Sequence, residues 1–118
     1  LANKITQILT DRITGHLVYY FWNAMNKQQH IDAIRRIVKK NRVKRAGIFG
    51  SFARESNTSY NDIDLLVELP EECTLFDFVA IKQELEDQLN LAVDLVEYKA
   101  IKPALRERIL AEEVRIYG

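Results

Sequence analysis

The sequence predicts an α+β domain built on a mixed sheet with helices on one face. Three observations carry this. Short apolar or β-branched runs recur at residues 43–50, 62–69 and 92–97, the length of strands rather than helices. Segments with apolar residues at helical spacing lie between and around them. Stop and turn residues, Pro70, Asn90 and Pro103, fall where one kind of segment gives way to the other. Strands separated by helices bury their apolar sides by stacking the helices on the sheet.

The elements follow in order. Residues 1–24 read as an N-terminal extension ahead of Met25, with Ile5, Ile8, Leu9 and Ile13 fitting a helix that ends near Gly15. The run Leu17-Val18-Tyr19-Tyr20-Phe21-Trp22 is too short to span a bilayer and is expected to pack against the core or another subunit. Ile31, Ile34 and Val38 predict an amphipathic helix over 26–41. Basic residues Arg35, Arg36, Lys39, Lys40, Arg42, Lys44 and Arg45 gather at its end, where the helix dipole favours cations. No aromatic residues interleave with them, so they read as a solvated face rather than a nucleic-acid patch. A strand follows at 43–50 and another at 62–69, closed by Pro70. Thr74 is a suitable N-cap for a helix over 75–89, with Asp77 at the capping-box position. Phe78, Ile81, Leu85 and Leu89 form its apolar side and Asn90 its stop. A strand over 92–97 comes next. Pro103 opens a last helix, where its missing N–H costs little, and Ile101, Leu105 and Ile109 mark the buried side.

Composition sets the limits. At 118 residues and 47% hydrophobic content, the chain can bury one core. The formal net charge is zero, which gives no overall pull toward nucleic acid or membrane. Residues 1–60 nevertheless hold 11 Lys and Arg against 3 Asp and Glu, and residues 61–118 hold 6 against 14. Such a division either steers a charged partner or is neutralised when the halves fold together. The single Cys73 excludes an internal disulfide and a cysteine zinc site, and Glu71 and Glu72 beside it supply no activating cation. His16 and His30 show no metal-ligand spacing. With no secretory signal or long apolar stretch, the cytoplasm is the expected compartment.

The chemistry lies in Gly50-Ser51, ten further residues, and Asp62-Ile63-Asp64. On a strand, residues two apart point the same way, so Asp62 and Asp64 project together while Ile63 and Leu65 face the other side. Carboxylates held this close repel one another, and a hard divalent cation relieves the repulsion. Mg²⁺ typically takes one or two carboxylates plus substrate phosphates. Gly50 lets backbone approach a ligand without a Cβ. Ser51 offers an N–H and a hydroxyl to a phosphate, above all where a helix begins. Arg54, about one turn on, can reach the same phosphates through its planar fork. Alone, either short motif reads as an ordinary turn or a solvated strand face. Asp94 stands in the middle of the apolar run Ala92-Val93-Asp94-Leu95-Val96-Glu97, where a charge is costly unless paired or metal-bound; the alternative is that it lies near an exposed strand end. Glu68 and Glu97 fall at strand ends and read as solvated.

The segment from Gly50 to Glu68 resembles the Gly-Ser-x₁₀-Asp-x-Asp signature of the polymerase β-like nucleotidyltransferase superfamily. Over about residues 25–118 the chain is similar to its minimal nucleotidyltransferases (MNT proteins), which often pair with HEPN-domain proteins as toxin and antitoxin. The expected division is therefore an extension over 1–24 and a minimal nucleotidyltransferase domain over 25–118. One departure is visible: many relatives carry Gly-Glu after the Arg, whereas here Glu55 follows Arg54 directly. The resemblance implies the small α+β core of that superfamily. It implies Asp94 as the third carboxylate, a metal ligand and base toward the attacking hydroxyl. It implies Mg²⁺ on Asp62, Asp64 and Asp94, with Gly50, Ser51 and Arg54 on the nucleotide. It further implies ATP or another NTP as donor and a HEPN toxin as acceptor of AMP, which makes the chain an antitoxin acting by modification. Neither a membrane nor a nucleic acid is expected as partner, and a homo-oligomer stays open. Two other readings stay open as well: a non-catalytic antitoxin that masks a HEPN ribonuclease, and a nucleotidyltransferase acting on a small molecule or RNA.

Overall fold

The computed structural model describes residues 27–54 and 60–118. The expectations for residues 1–24 lie outside these, as does Glu55. Helix α1 runs through residues 27–40. It is followed by β1 (Arg45–Phe49), the single-turn α2 (Gly50–Ala53) and β2 (Asp62–Glu68). Then come α3 (Leu75–Leu89), β3 (Ala92–Glu97), a 3₁₀ turn (Tyr98–Ala100), α4 (Pro103–Glu112) and β4 (Val114–Tyr117).

The four strands form one sheet in the order β3-β2-β1-β4. β1 is antiparallel to both β2 and β4, whereas β2 and β3 are parallel. A parallel pair needs a crossover, and α3 supplies it. One face of the sheet carries Ala46, Ile48, Ile63, Leu65, Val67, Val93, Leu95 and Ile116. Onto it pack Ile34, Ile37 and Val38 of α1 and Ile81, Leu85 and Leu89 of α3. These are the stripes at helical spacing that the sequence announces. Each fully buried Ile, Leu or Val contributes about 1.5–3 kcal/mol. The exposed ion pair from Lys40 to Glu84, at 2.7 Å, ties the same two helices but is worth at most about 1 kcal/mol. Apolar burial therefore decides the packing.

Local chemistry sets the element ends. The 43–50 strand is shorter than expected at both ends. Val43 belongs to the stop of α1: its N–H donates to the Val38 carbonyl at 2.9 Å, and that of Arg42 to the Lys39 carbonyl at 3.2 Å. This is a Schellman closure, with Arg42 at φ 61 in the left-handed position usually given to glycine. Gly50, at φ 69, turns the chain out of β1 into α2. Helix α3 has the expected bounds. Thr74 Oγ1 accepts from the Asp77 N–H at 3.2 Å, and Asp77 accepts from the Thr74 N–H at 2.9 Å. Asn90 closes it in the left-handed conformation.

Two expectations need correction. Pro103 does open α4, but α4 buries no residue: Leu105 is 40% exposed and Ile109 only partly covered. Ile101, just before the helix, joins Leu66 and Tyr98 in a small cluster on the second face of the sheet. β4 was not expected. The corner between α4 and β4 is held by Glu113, whose side chain is 8% exposed. It accepts from the Tyr98 hydroxyl, lies 3.6 Å from Arg115 Nε, and occupies the space a Cβ on Gly47 would fill.

Candidate active site

The second face of the sheet carries the candidate site residues at the N-terminal ends of β2 and β3. Ile63 and Leu65 are fully buried on the helix side, so the alternation of the strand turns Asp62 and Asp64 to the opposite side. Asp62 is exposed and Asp64 half-buried. Asp94 is the register partner of Asp64 on the neighbouring parallel strand, which puts the two on one face. Asp94 is exposed, not buried among apolar neighbours. The cost of a buried charge thus gives no reason for an aspartate here; what places it at the site is the register.

Gly50 joins the two parts of the motif. Its positive φ suits glycine, and a Cβ built there would collide with the Asp64 carboxylate. The turn that begins α2 therefore lies directly against the second aspartate, as the pairing of Phe49 with Asp64 requires. Ser51 follows on the same turn and is half-buried. Arg54, at the end of the turn, is exposed, and its backbone N–H donates to the Ser51 carbonyl at 3.3 Å.

Burial raises the pKa of Asp64, and the charges of Asp62 and Asp94 raise it further. The three carboxylates thus share one field. Among the described residues, however, no three acidic or imidazole side chains close into a cage that could hold a metal by themselves. An all-oxygen set of mutually repelling carboxylates on an open face, beside a glycine turn, fits a hard divalent cation completed by substrate phosphates. The described hollows lie elsewhere. One, of about 310 Å³, is lined by Lys44, Arg45, Glu68, Tyr98, Lys99 and Arg106 at the far end of β2.

Sequence reasoning missed a group beside this site. Lys27 Nζ donates to the Arg54 carbonyl at 2.8 Å and stands 5.3 Å from the centre of the Phe52 ring. Phe52, fully buried, meets Tyr60 edge to face at 4.7 Å. Tyr60 Oη lies 2.7 Å from His30 Nδ1. Burial lowers the His30 pKa and pushes the Tyr60 hydroxyl up to about 12, so the bond joins a neutral ring to a protonated hydroxyl. Tyr60 is visible two residues before Asp62, but nothing in the spacing announces a contact across 30 residues. Cys73 lies apart from the site. Burial raises its pKa, helped by Asp77, Glu72 and Glu97, which leaves it a poor nucleophile.

A family model for the polymerase β nucleotidyltransferase domain matches residues 32–118. The chain belongs to this nucleotidyltransferase family. Among its relatives, MJ0435 of Methanocaldococcus jannaschii, to which a protein adenylyltransferase activity is ascribed, is 45% identical over 91 residues. The match covers 74% of this chain and 98% of the relative. Protein adenylyltransferase MntA of Thermococcus cleftensis is 34% identical over 74 residues, covering 63% of this chain and 75% of that protein. The fold is shared with a chain from the structure of a tri-AMPylated Shewanella oneidensis HEPN toxin in complex with MNT antitoxin. There the TM-score is 0.62 at 21% identity, covering 78% of this chain and 72% of the other. As a member of this family the chain is a nucleotidyltransferase. Among the described residues no helix is long and apolar enough to cross a membrane.

Proposed function

We propose that this nucleotidyltransferase moves AMP from ATP onto a hydroxyl of a HEPN toxin and so acts as its antitoxin. The observation that carries the reading is the contact of the Gly50 turn with the Asp64 carboxylate, beside Asp94 on the same open face. The β1–β2 register sets the turn against the aspartate, and a metal-bound nucleotide would use both at once. The names of the relatives supply the class of acceptor, a protein, and the Shewanella complex supplies the HEPN toxin.

In this reading Asp62 and Asp64 hold Mg²⁺ and Asp94 joins them. Held there, Mg²⁺ would supply charge stabilisation for the phosphates and the pyrophosphate leaving group and would favour ionisation of the attacking hydroxyl. Gly50 and Ser51 cradle the β- and γ-phosphates, and the Arg54 guanidinium reaches the same oxygens. Asp94, at the exposed edge of the group, takes the proton of the incoming hydroxyl. Phosphoryl chemistry of this kind is mostly positioning and charge stabilisation, so a short chain suffices. The acceptor comes from the partner, which the exposure of Asp62 and Asp94 allows. Residues 25–118 serve as the catalytic domain, residues 1–24 as an extension, and the cytoplasm, where ATP is at hand, as the place of action.

Incubation of the chain with Mg²⁺, ATP and its cognate HEPN-domain protein tests this. The expected result is one or more AMP units added to the partner by intact mass, absent with Asp64→Asn. Neutralisation of the toxin that survives Asp64→Asn with no adduct would replace the reading with that of a masking antitoxin.

A further inference from the structure

The two halves of the site lie at opposite ends of one connection. The β1–β2 ladder pins Asp64 to Phe49, but Ser51 and Arg54 lie beyond its last register pair. Their placement relative to Asp62 and Asp64 thus depends on contacts outside the sheet. Helix α1 makes such contacts at both ends of the connection. Lys27 holds the Arg54 carbonyl at 2.8 Å. His30, three residues on and so on the same side of the helix, bonds Tyr60 Oη at 2.7 Å. The rings of His30 and Tyr60 also meet edge to face, with centroids 5.7 Å apart. Between the two attachments, Phe52 of α2 and Tyr60 pack ring on ring, the first fully buried and the second 3% exposed.

We propose that Lys27, His30 and Tyr60 are positioning residues, a clamp by which α1 fixes the Gly50-Ser51 turn against Asp62 and Asp64. The proposal rests on the reading of the site as a nucleotidyltransferase centre. Phosphates on the turn and a metal on the strand belong to one bound nucleotide, so an error in their separation is an error in the reacting geometry. A misplacement of about 1 Å costs on the order of 100-fold in rate. The clamp attaches to a carbonyl and to the residue two before Asp62, so it touches neither phosphate nor metal. Its effect passes through the Arg54 backbone at one attachment and through the Phe52–Tyr60 ring contact at the other. Ring packing alone would hold Tyr60 near Phe52, and the hydrogen bond to His30 sets which way the ring faces.

Tyr60→Phe and His30→Phe each keep a ring and remove the shared hydrogen bond. The wild type, both single variants and the double variant are compared by amide hydrogen exchange, thermal unfolding and AMP transfer to the HEPN partner. Exchange is expected to quicken at residues 50–54 and 60–62, with the sheet and α3 unchanged. The transfer rate in each single variant is expected to fall about 10-fold. The double variant should be no slower than either single one, because the two residues share one interaction. Unchanged local exchange and transfer in both single variants would overturn the clamp, as would two effects that multiply. Faster local exchange in the variants, with no AMP transfer by any form, would uphold the clamp and overturn the proposed function instead.

Discussion

Asp64 is the residue on which stability and the proposed chemistry pull apart. It is half-buried on β2, flanked by Asp62 and by Asp94 across the parallel register, with Gly50 against its carboxylate. Burial and two like charges raise its pKa. A carboxylate with a raised native pKa contributes stability below its ordinary range, and that contribution is lost as pH rises through the native value. At neutral pH the charged form therefore strains the metal-free fold. Asp64→Asn should abolish AMP transfer and, in EDTA, stabilise the protein by about 0.5–2 kcal/mol, the usual size of such an exchange. Chemical denaturation at pH 7 reads this. The advantage should vanish below the ordinary aspartate value of 3.8, where Asp64 is protonated whether folded or not. At this scale the sequence was legible because alternation along a strand needs only one element. The register that brings Asp94 beside Asp64 is a fact about two elements; the sequence offers only a charge within an apolar run and, through the family resemblance, a third carboxylate.

The elements show which signals are local. Thr74 and Asp77 close their box within one turn, so the start of α3 could be read directly from the chain. The end of α1 depends on backbone geometry that no residue type announces, because Arg42 holds the left-handed position at φ 61. A non-glycine residue there costs about 1–2 kcal/mol, partly offset by the greater freedom of glycine in the unfolded chain. Arg42→Gly should therefore stabilise the fold by about 0.5–1 kcal/mol, read as a rise in the urea midpoint at unchanged slope. Loss of stability instead would mean that the Arg42 side chain does more than cap. α4 and β4 were misjudged for a related reason. Ile101, Leu105 and Ile109 have helical spacing, yet Leu105 stays exposed; Ile109 packs on the Leu66–Tyr98–Ile101 cluster, and Glu113, with Tyr98 and the gap at Gly47, holds the corner after the helix. A buried carboxylate pinned by a tyrosine leaves no periodic trace in the sequence.

At the scale of the whole molecule, two features of the sequence take physical form. The charge division between the halves is partly closed by folding, through Lys40 with Glu84 and Arg45 with Glu68. The mixed sheet then separates two tasks. One face, under α1 and α3, holds the core; the other carries the carboxylates at one end and the Leu66–Tyr98–Ile101 cluster further along. Phe52 and Tyr60, which flank the two parts of the motif, are buried in the core and pack ring on ring, while Gly50 lies against Asp64 on the open face. The central claim is that this turn and the aspartates bind a single metal–nucleotide complex. A crystal structure with Mg²⁺ and a non-hydrolysable ATP analogue tests it most directly. The expected result is a metal at about 2.0–2.1 Å from oxygens of Asp62 and Asp64, with the triphosphate on Gly50 and Ser51. A nucleotide seated instead in the hollow lined by Lys44, Arg45, Glu68, Tyr98, Lys99 and Arg106, with no metal on Asp62 and Asp64, would contradict it.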